Sequence, residues 1–109
     1  MQLSYVIKFV SQMDQAVAFH RDVLGLKLKF QSPEWSEFLT GTTTLAFHAA
    51  DETHPAGSCQ LGFATPRLDA MFDEREKRGI SFTMPPTETH GQRIARFCDT
   101  DGAECSVSG

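Results

Sequence analysis

An internal repeat restricts the fold of this chain more than any other feature of it. At an offset of 54 to 55 residues, Ile7-Lys8-Phe9-Val10-Ser11 lines up with Leu61-Gly62-Phe63-Ala64-Thr65, Met13-Asp14 with Leu68-Asp69, and Gly25-Leu26 with Gly79-Ile80. Identity is low; what repeats is the order of element types. Each half opens with a short strand that runs into a helix start. Ser11-Gln12-Met13-Asp14 reads as a capping box, and Thr65-Pro66 as an N-cap hydroxyl followed by proline at the first helical position. The first helix carries Met13, Val17, His20 and Leu24 at helical spacing, and the second Leu68, Met71, Phe72 and Arg75. Asp73–Lys77 and Glu74–Arg78 read as i,i+4 ion pairs on the second helix, and Gly25 and Gly79 stop the two helices.

After each helix comes an alternating strand, Leu26, Leu28, Phe30 in one half and Ile80, Phe82, Met84 in the other. Each is expected to end at proline, Pro33 or Pro85-Pro86, which cannot donate to a sheet ladder. Two further strands follow in each half, about 35–40 and 42–49 turning at Gly41, then about 91–98 and 103–107 turning through Asp99-Thr100-Asp101-Gly102. His54-Pro55-Ala56-Gly57 joins the halves. The fold class is therefore α+β: one domain over 1–109 with two βαβββ modules, about 1–54 and 57–109.

Bulk properties exclude several classes. A chain of 109 residues buries roughly 60–70% of its unfolded surface, enough to fold without staples, and nine Phe help to fill the core. The net charge is −4, and only Asp73-Glu74-Arg75-Glu76-Lys77-Arg78 forms a charge run, so no cationic patch for nucleic acid is expected. No apolar run approaches the ~20 residues of a membrane span. Met1-Gln2-Leu3-Ser4 lacks the basic and apolar regions of a secretory signal. The three cysteines, Cys59, Cys98 and Cys105, form no CxxC pair. They read as small buried hydrophobes in a cytoplasmic protein.

Phe19-His20-Arg21-Asp22-Val23-Leu24-Gly25 resembles the F-Y-x-x-V-L-G helix end of the vicinal-oxygen-chelate superfamily, the glyoxalase, bleomycin-resistance and dioxygenase proteins. Asp99-Thr100-Asp101-Gly102 resembles the D-P-D-G hairpin of the same superfamily. The resemblance covers essentially the whole chain. It implies a curved mixed sheet forming a trough, helices outside, with two troughs combining within one chain or across a homodimer. It also implies that metal-dependent members take one ligand from the first and fourth strands of each module. Those positions fall here on Tyr5, His48, Gln60 and Ser106. The set holds no carboxylate and one imidazole, so the metal site looks dismantled and no cofactor is expected. If a divalent metal does bind, His48, Gln60 and Glu104 are its leading ligands.

Several residues could carry chemistry in such a trough. In Leu45-Ala46-Phe47-His48, alternation puts Leu45 and Phe47 against the helix and points Ala46 and His48 the other way. His48 is thus a ligand, a general base, or a solvated strand-end histidine. Glu104 shares the face of Ser106, and Glu37 shares that of Trp35; Glu104 is a catalytic candidate with His48. The plainer reading of both carboxylates is solvated surface. Trp35 offers an apolar face and an indole N–H to a ligand, or packs at a subunit interface. Tyr5 and Phe9 share a face. Arg93 and Arg96 are three apart on a strand, so only one of them faces the trough. His20, His54 and His90 read as structural or solvated.

Three functions compete. One is a small-molecule-binding protein, metal-free, using Tyr5, Phe9, Trp35, Glu37, His48, Gln60 and Ser106, as antibiotic-sequestering relatives of the family do. The second is a metal-dependent lyase, isomerase or dioxygenase acting on a chelated substrate with vicinal oxygens. The third is a dimerising accessory domain. The ligand inventory favours the first.

Overall fold

The computed structural model describes residues 1–109, which divide into two compact units, Ser4–Cys59 and Gln60–Gly109 with Met1–Leu3. Each unit repeats the order βαβββ, and the chain is α+β. In the first lie β1 (Gln2–Val10), α1 (Met13–Ala18), a π-helical turn Phe19–Val23, β2 (Lys27–Phe30), β3 (Trp35–Leu39) and β4 (Thr44–Ala49). The strand order is β2-β3-β4-β1, with β1 parallel to β4 and the other pairs antiparallel. Val10, Val17, Phe38 and Phe47 form the core between sheet and helix, with Met13, Ala16, Leu26, Leu28 and Leu45 packed around them. Burial of these side chains, rather than helix propensity, holds a helix of only six residues.

No capping box forms. Gln12 is the N-cap and makes no side-chain cap bond. Asp14 instead accepts a hydrogen bond from Gln31 Nε2 at 2.8 Å. The helical spacing also fails beyond Val17. The Leu24 amide reaches back five residues to the Phe19 carbonyl, so the wider π turn rotates Leu24 off the core face and leaves it 54% exposed. Gly25, at φ 76°, closes the turn, where the Leu26 amide donates to the His20 carbonyl. The extra residue of the π turn is why the repeat offset drops from 55 at Met13/Leu68 to 54 at Gly25/Gly79. β2 differs from strict alternation too. Its pairing with β3 skips from Leu28↔Phe38 to Phe30↔Glu37, so Lys29 bulges and Phe30 turns outward.

The second unit holds β5 (Cys59–Ala64), α2 (Leu68–Asp73), α3 (Arg75–Arg78), β6 (Ser81–Thr89), β7 (Gln92–Cys98) and β8 (Glu104–Ser108). Its strand order is β5-β8-β7-β6, with β5 parallel to β8. The core is Leu68, Met71, Ala95 and Val107, with Phe63, Ile80, Phe82 and Phe97 around it. The Thr65 hydroxyl accepts from the Arg67 amide at 3.2 Å, but the helix starts later, with Arg67 as N-cap. The expected Asp73–Lys77 and Glu74–Arg78 pairs straddle a break at Glu74 (φ −92°, ψ 10°), which removes the continuous helical face they need. Arg75 folds back instead, donating to the Phe72 carbonyl at 2.9 Å with its guanidinium 4.1 Å from the Phe72 ring centre.

The strand expected to stop at Pro85-Pro86 runs through both prolines to Thr89. β6 is an edge strand, and the prolines sit where its pairing with β7 skips from Met84 to Thr87, so no ladder bond is lost. In the β7–β8 turn, Asp99 Oδ1 accepts from the Asp101 and Ala103 amides, both at 2.9 Å, which explains the aspartate that opens that motif. Cys105 is buried as expected, but Cys98 is only partly so and Cys59, at the start of β5, is exposed.

Candidate functional site

Register decides which residues meet. Ile7, Ala46 and Glu37 are in line across β1, β4 and β3, as are Phe9, His48 and Trp35. Tyr5, Ile7, Phe9, Trp35, Glu37, Ala46 and His48 therefore all project from the sheet face opposite α1. The rings interlock there. Tyr5 and Trp35 have centroids 6.3 Å apart, Trp35 and His48 meet edge to face at 6.0 Å, and His48 and Phe9 lie at 5.4 Å. Phe9 is nearly buried and stacks on His54 at 4.4 Å. His54 is thus a wall of this cluster, the structural one of the two readings its loop position allowed. Ala46 at the centre leaves room for the larger neighbours and is fully covered by them.

Glu37 shares the Trp35 face, as one of its two readings had it, but differs from the plainer reading in its solvation. Instead of a solvated carboxylate it is 7% exposed, and its Oε2 accepts the Trp35 indole N–H at 2.8 Å. The indole is consequently held by the protein, and its N–H is not available to orient a ligand as expected. Oε1 lies 3.6 Å from Lys29 Nζ, brought there by the β2 bulge. Every buried side-chain oxygen and nitrogen has a hydrogen-bond partner; Oε1, which accepts none, is therefore the solvent edge of the carboxylate. Burial, and then the charge of Glu37, raise the Tyr5 phenol above its ordinary 10.0, so it stays a neutral donor. His48 Nδ1 lies 2.7 Å from the Ala49 carbonyl. That oxygen can only accept, so Nδ1 carries a hydrogen and, in the neutral ring, Nε2 carries the lone pair.

The remaining candidates belong to the second unit. Gln60 Nε2 donates to Glu104 Oε1 at 3.4 Å, and the Thr83 hydroxyl donates to Glu104 Oε2 at 2.8 Å. Glu104 too is a bonded rather than a simply solvated carboxylate. Thr83 was not foreseen; it sits at the skip between Phe82 and Met84. Ser106 pairs with Gly62 on β5 and Arg96 on β7. Of the two arginines, Arg96 thus shares the Ser106 face and is exposed. Arg93 turns to the helix side and forms a forked pair with Asp69 at 2.6 and 3.2 Å. His20 sits on the core side, its ring edge against Phe47 and Nδ1 donating to the Ala16 carbonyl at 2.8 Å. No three His, Cys, Asp or Glu side chains gather where they could hold a metal.

A βαβββ repeat, with an aromatic-lined face in the first unit, defines a protein of the vicinal-oxygen-chelate class. The sequence matches the Glyoxalase/Bleomycin resistance protein/Dioxygenase superfamily over residues 2–107, and the chain belongs to that family. Among curated proteins none matches it. Solved structures show the same fold at low identity. A single-residue variant of methylmalonyl-CoA epimerase from Streptomyces coelicolor, in complex with 2-nitronate-propionyl-CoA, is 14% identical at a TM-score of 0.79, over 99% of this chain and 93% of that one. Methylmalonyl-CoA epimerase of Mycobacterium tuberculosis is 21% identical at 0.73, over 98% and 86%. A family member from Vibrio splendidus is 13% identical at 0.78, over 95% of each chain.

Proposed function

We propose that this is a small-molecule-binding member of the family, taking a partly aromatic or apolar ligand against Tyr5, Phe9, Trp35 and His48, without the full metal site. The observation that supports it most is the convergence of these four rings, with the Glu37 carboxylate among them, on the face opposite α1. Ligand sites combine apolar walls with a few placed polar groups in this way. Here the polar groups are His48 Nε2, the Tyr5 hydroxyl and Glu37 Oε1. The family's metal-ligand positions do not fit a divalent cation. Tyr5 is a protonated phenol, His48 offers one nitrogen, Gln60 is engaged with Glu104, and Ser106 is a neutral hydroxyl. In the second unit, Gln60 and Ser106 we assign as ligand-binding candidates on that unit's own sheet, with Glu104 beside Gln60 as its catalytic candidate.

The match over 2–107 supports a single functional domain. Exposed Phe19, Val23, Leu24, Phe30 and Leu39 support a homodimer, to be read by sedimentation. The three free thiols support a reducing, cytoplasmic setting. No helix is long and apolar enough to cross a membrane.

The test is a screen of aromatic and amphiphilic compounds followed by the emission of Trp35, the only tryptophan. Binding at this face shifts or quenches it. By calorimetry, Trp35→Ala should lose more than about 1 kcal/mol of affinity, with His48→Ala also weakened. Compounds that bind equally well to both variants would place the site elsewhere and end this reading.

A further inference from the structure

We infer that the ligand of this face carries an organic cation, an ammonium or amidinium group attached to its apolar body. The inference rests on the site proposed above and names the class of ligand. Three observations lead to it. The Glu37 side chain is more than nine-tenths buried among rings, yet one of its oxygens, Oε1, is unbonded and faces outward. The only cation beside it is Lys29, whose side chain is 54% exposed and whose Nζ stands off at 3.6 Å. Such a contact with a solvated, mobile ammonium compensates little of what burial costs a carboxylate. Tyr5 and Trp35, with centroids 6.3 Å apart, stand beside the carboxylate: the indole N–H bonds its other oxygen, and its charge reaches the Tyr5 phenol, so an apolar ligand body has aromatic walls next to Oε1. A ligand ammonium that displaces Lys29 would gain a charge-assisted bond to Oε1 while its apolar body lies against the neighbouring rings. An anionic ligand would meet Glu37, and a neutral one would leave Oε1 to water.

Three near-isosteric probes separate the charges: phenethylamine, 2-phenylethanol and 3-phenylpropionate at neutral pH, read by Trp35 emission and by calorimetry. The amine should bind about tenfold tighter than the alcohol, and the carboxylate weakest. Glu37→Gln, which keeps an acceptor for the Trp35 indole, should bring the amine down to the affinity of the alcohol measured on the same variant. Lys29→Met should tighten the amine a few-fold, and this variant decides the matter if Glu37→Gln does not fold. An alcohol or carboxylate that binds as tightly as the amine overturns the cationic class while the aromatic site stands. An amine preference that survives Glu37→Gln, or one that Lys29→Met weakens, also overturns it. If none of the three probes binds the folded protein at tens of millimolar, the aromatic site itself fails and the inference with it.

Discussion

Replacing Trp35 by Phe isolates the bond that organises the candidate site. The ring face remains in kind, but the indole N–H that Glu37 Oε2 accepts at 2.8 Å is gone. Glu37 is 7% exposed, so Oε2 is left with little water to replace the donor. A hydrogen bond to a charged group contributes about 1.5–3 kcal/mol, and an orphaned buried acceptor forfeits at least that. Lys29, exposed and 3.6 Å from the other oxygen, adds little in compensation. Trp35→Phe should therefore cost about 2 kcal/mol, or roughly 8 °C in melting temperature for a domain of this size. Urea unfolding followed by far-UV circular dichroism measures it without the indole. Adding Glu37→Met to Trp35→Phe should recover more than about 1 kcal/mol, because both polar partners are then absent. Additive costs in that cycle, or a Trp35→Phe loss under about 0.5 kcal/mol, would show that the carboxylate is solvated after all.

Two further outcomes follow from the same geometry. Val17→Ala, in the core, should cost about 2 kcal/mol by urea unfolding, whereas Leu24→Ala should stay within about 0.5 kcal/mol because the π turn exposes that side chain; equal costs would mean a regular helix. Tyr5, the only tyrosine, should ionise above 10.0 in a tyrosinate absorbance titration, with Glu37→Gln moving it back down. The native state then holds the phenolic proton more tightly than the unfolded chain, so the stability it adds is complete below pH 10 and is lost as the pH climbs through the raised value. A Tyr5 titration at or below 10.0 would contradict its partial burial beside a carboxylate.

Element order was legible because it depends on local signals. The paired helix stops at Gly25 and Gly79, the alternation in Leu45-Ala46-Phe47-His48 and the Asp99–Gly102 turn were each readable from neighbours in the chain. They determined the βαβββ repeat and the grouping of His48 with Ala46. Face and register were less so, since a shift of one residue inverts a strand. The offset of 54 set Phe9 against Phe63, yet Phe9 lies on the ring-lined face and Phe63 on the helix side, so the strands correspond only at an odd offset. Bulges at Lys29 and Thr83 and the extra residue in Phe19–Val23 changed register again, and none has a strong local signature. Glu37 shows the same limit energetically. A carboxylate's solvation depends on what lies across the sheet, so its burial against Trp35 and Tyr5 was decided by tertiary pairing alone. The sequence by itself determined which residues could reach the face opposite α1; only cross-strand packing determined which of them bond to one another.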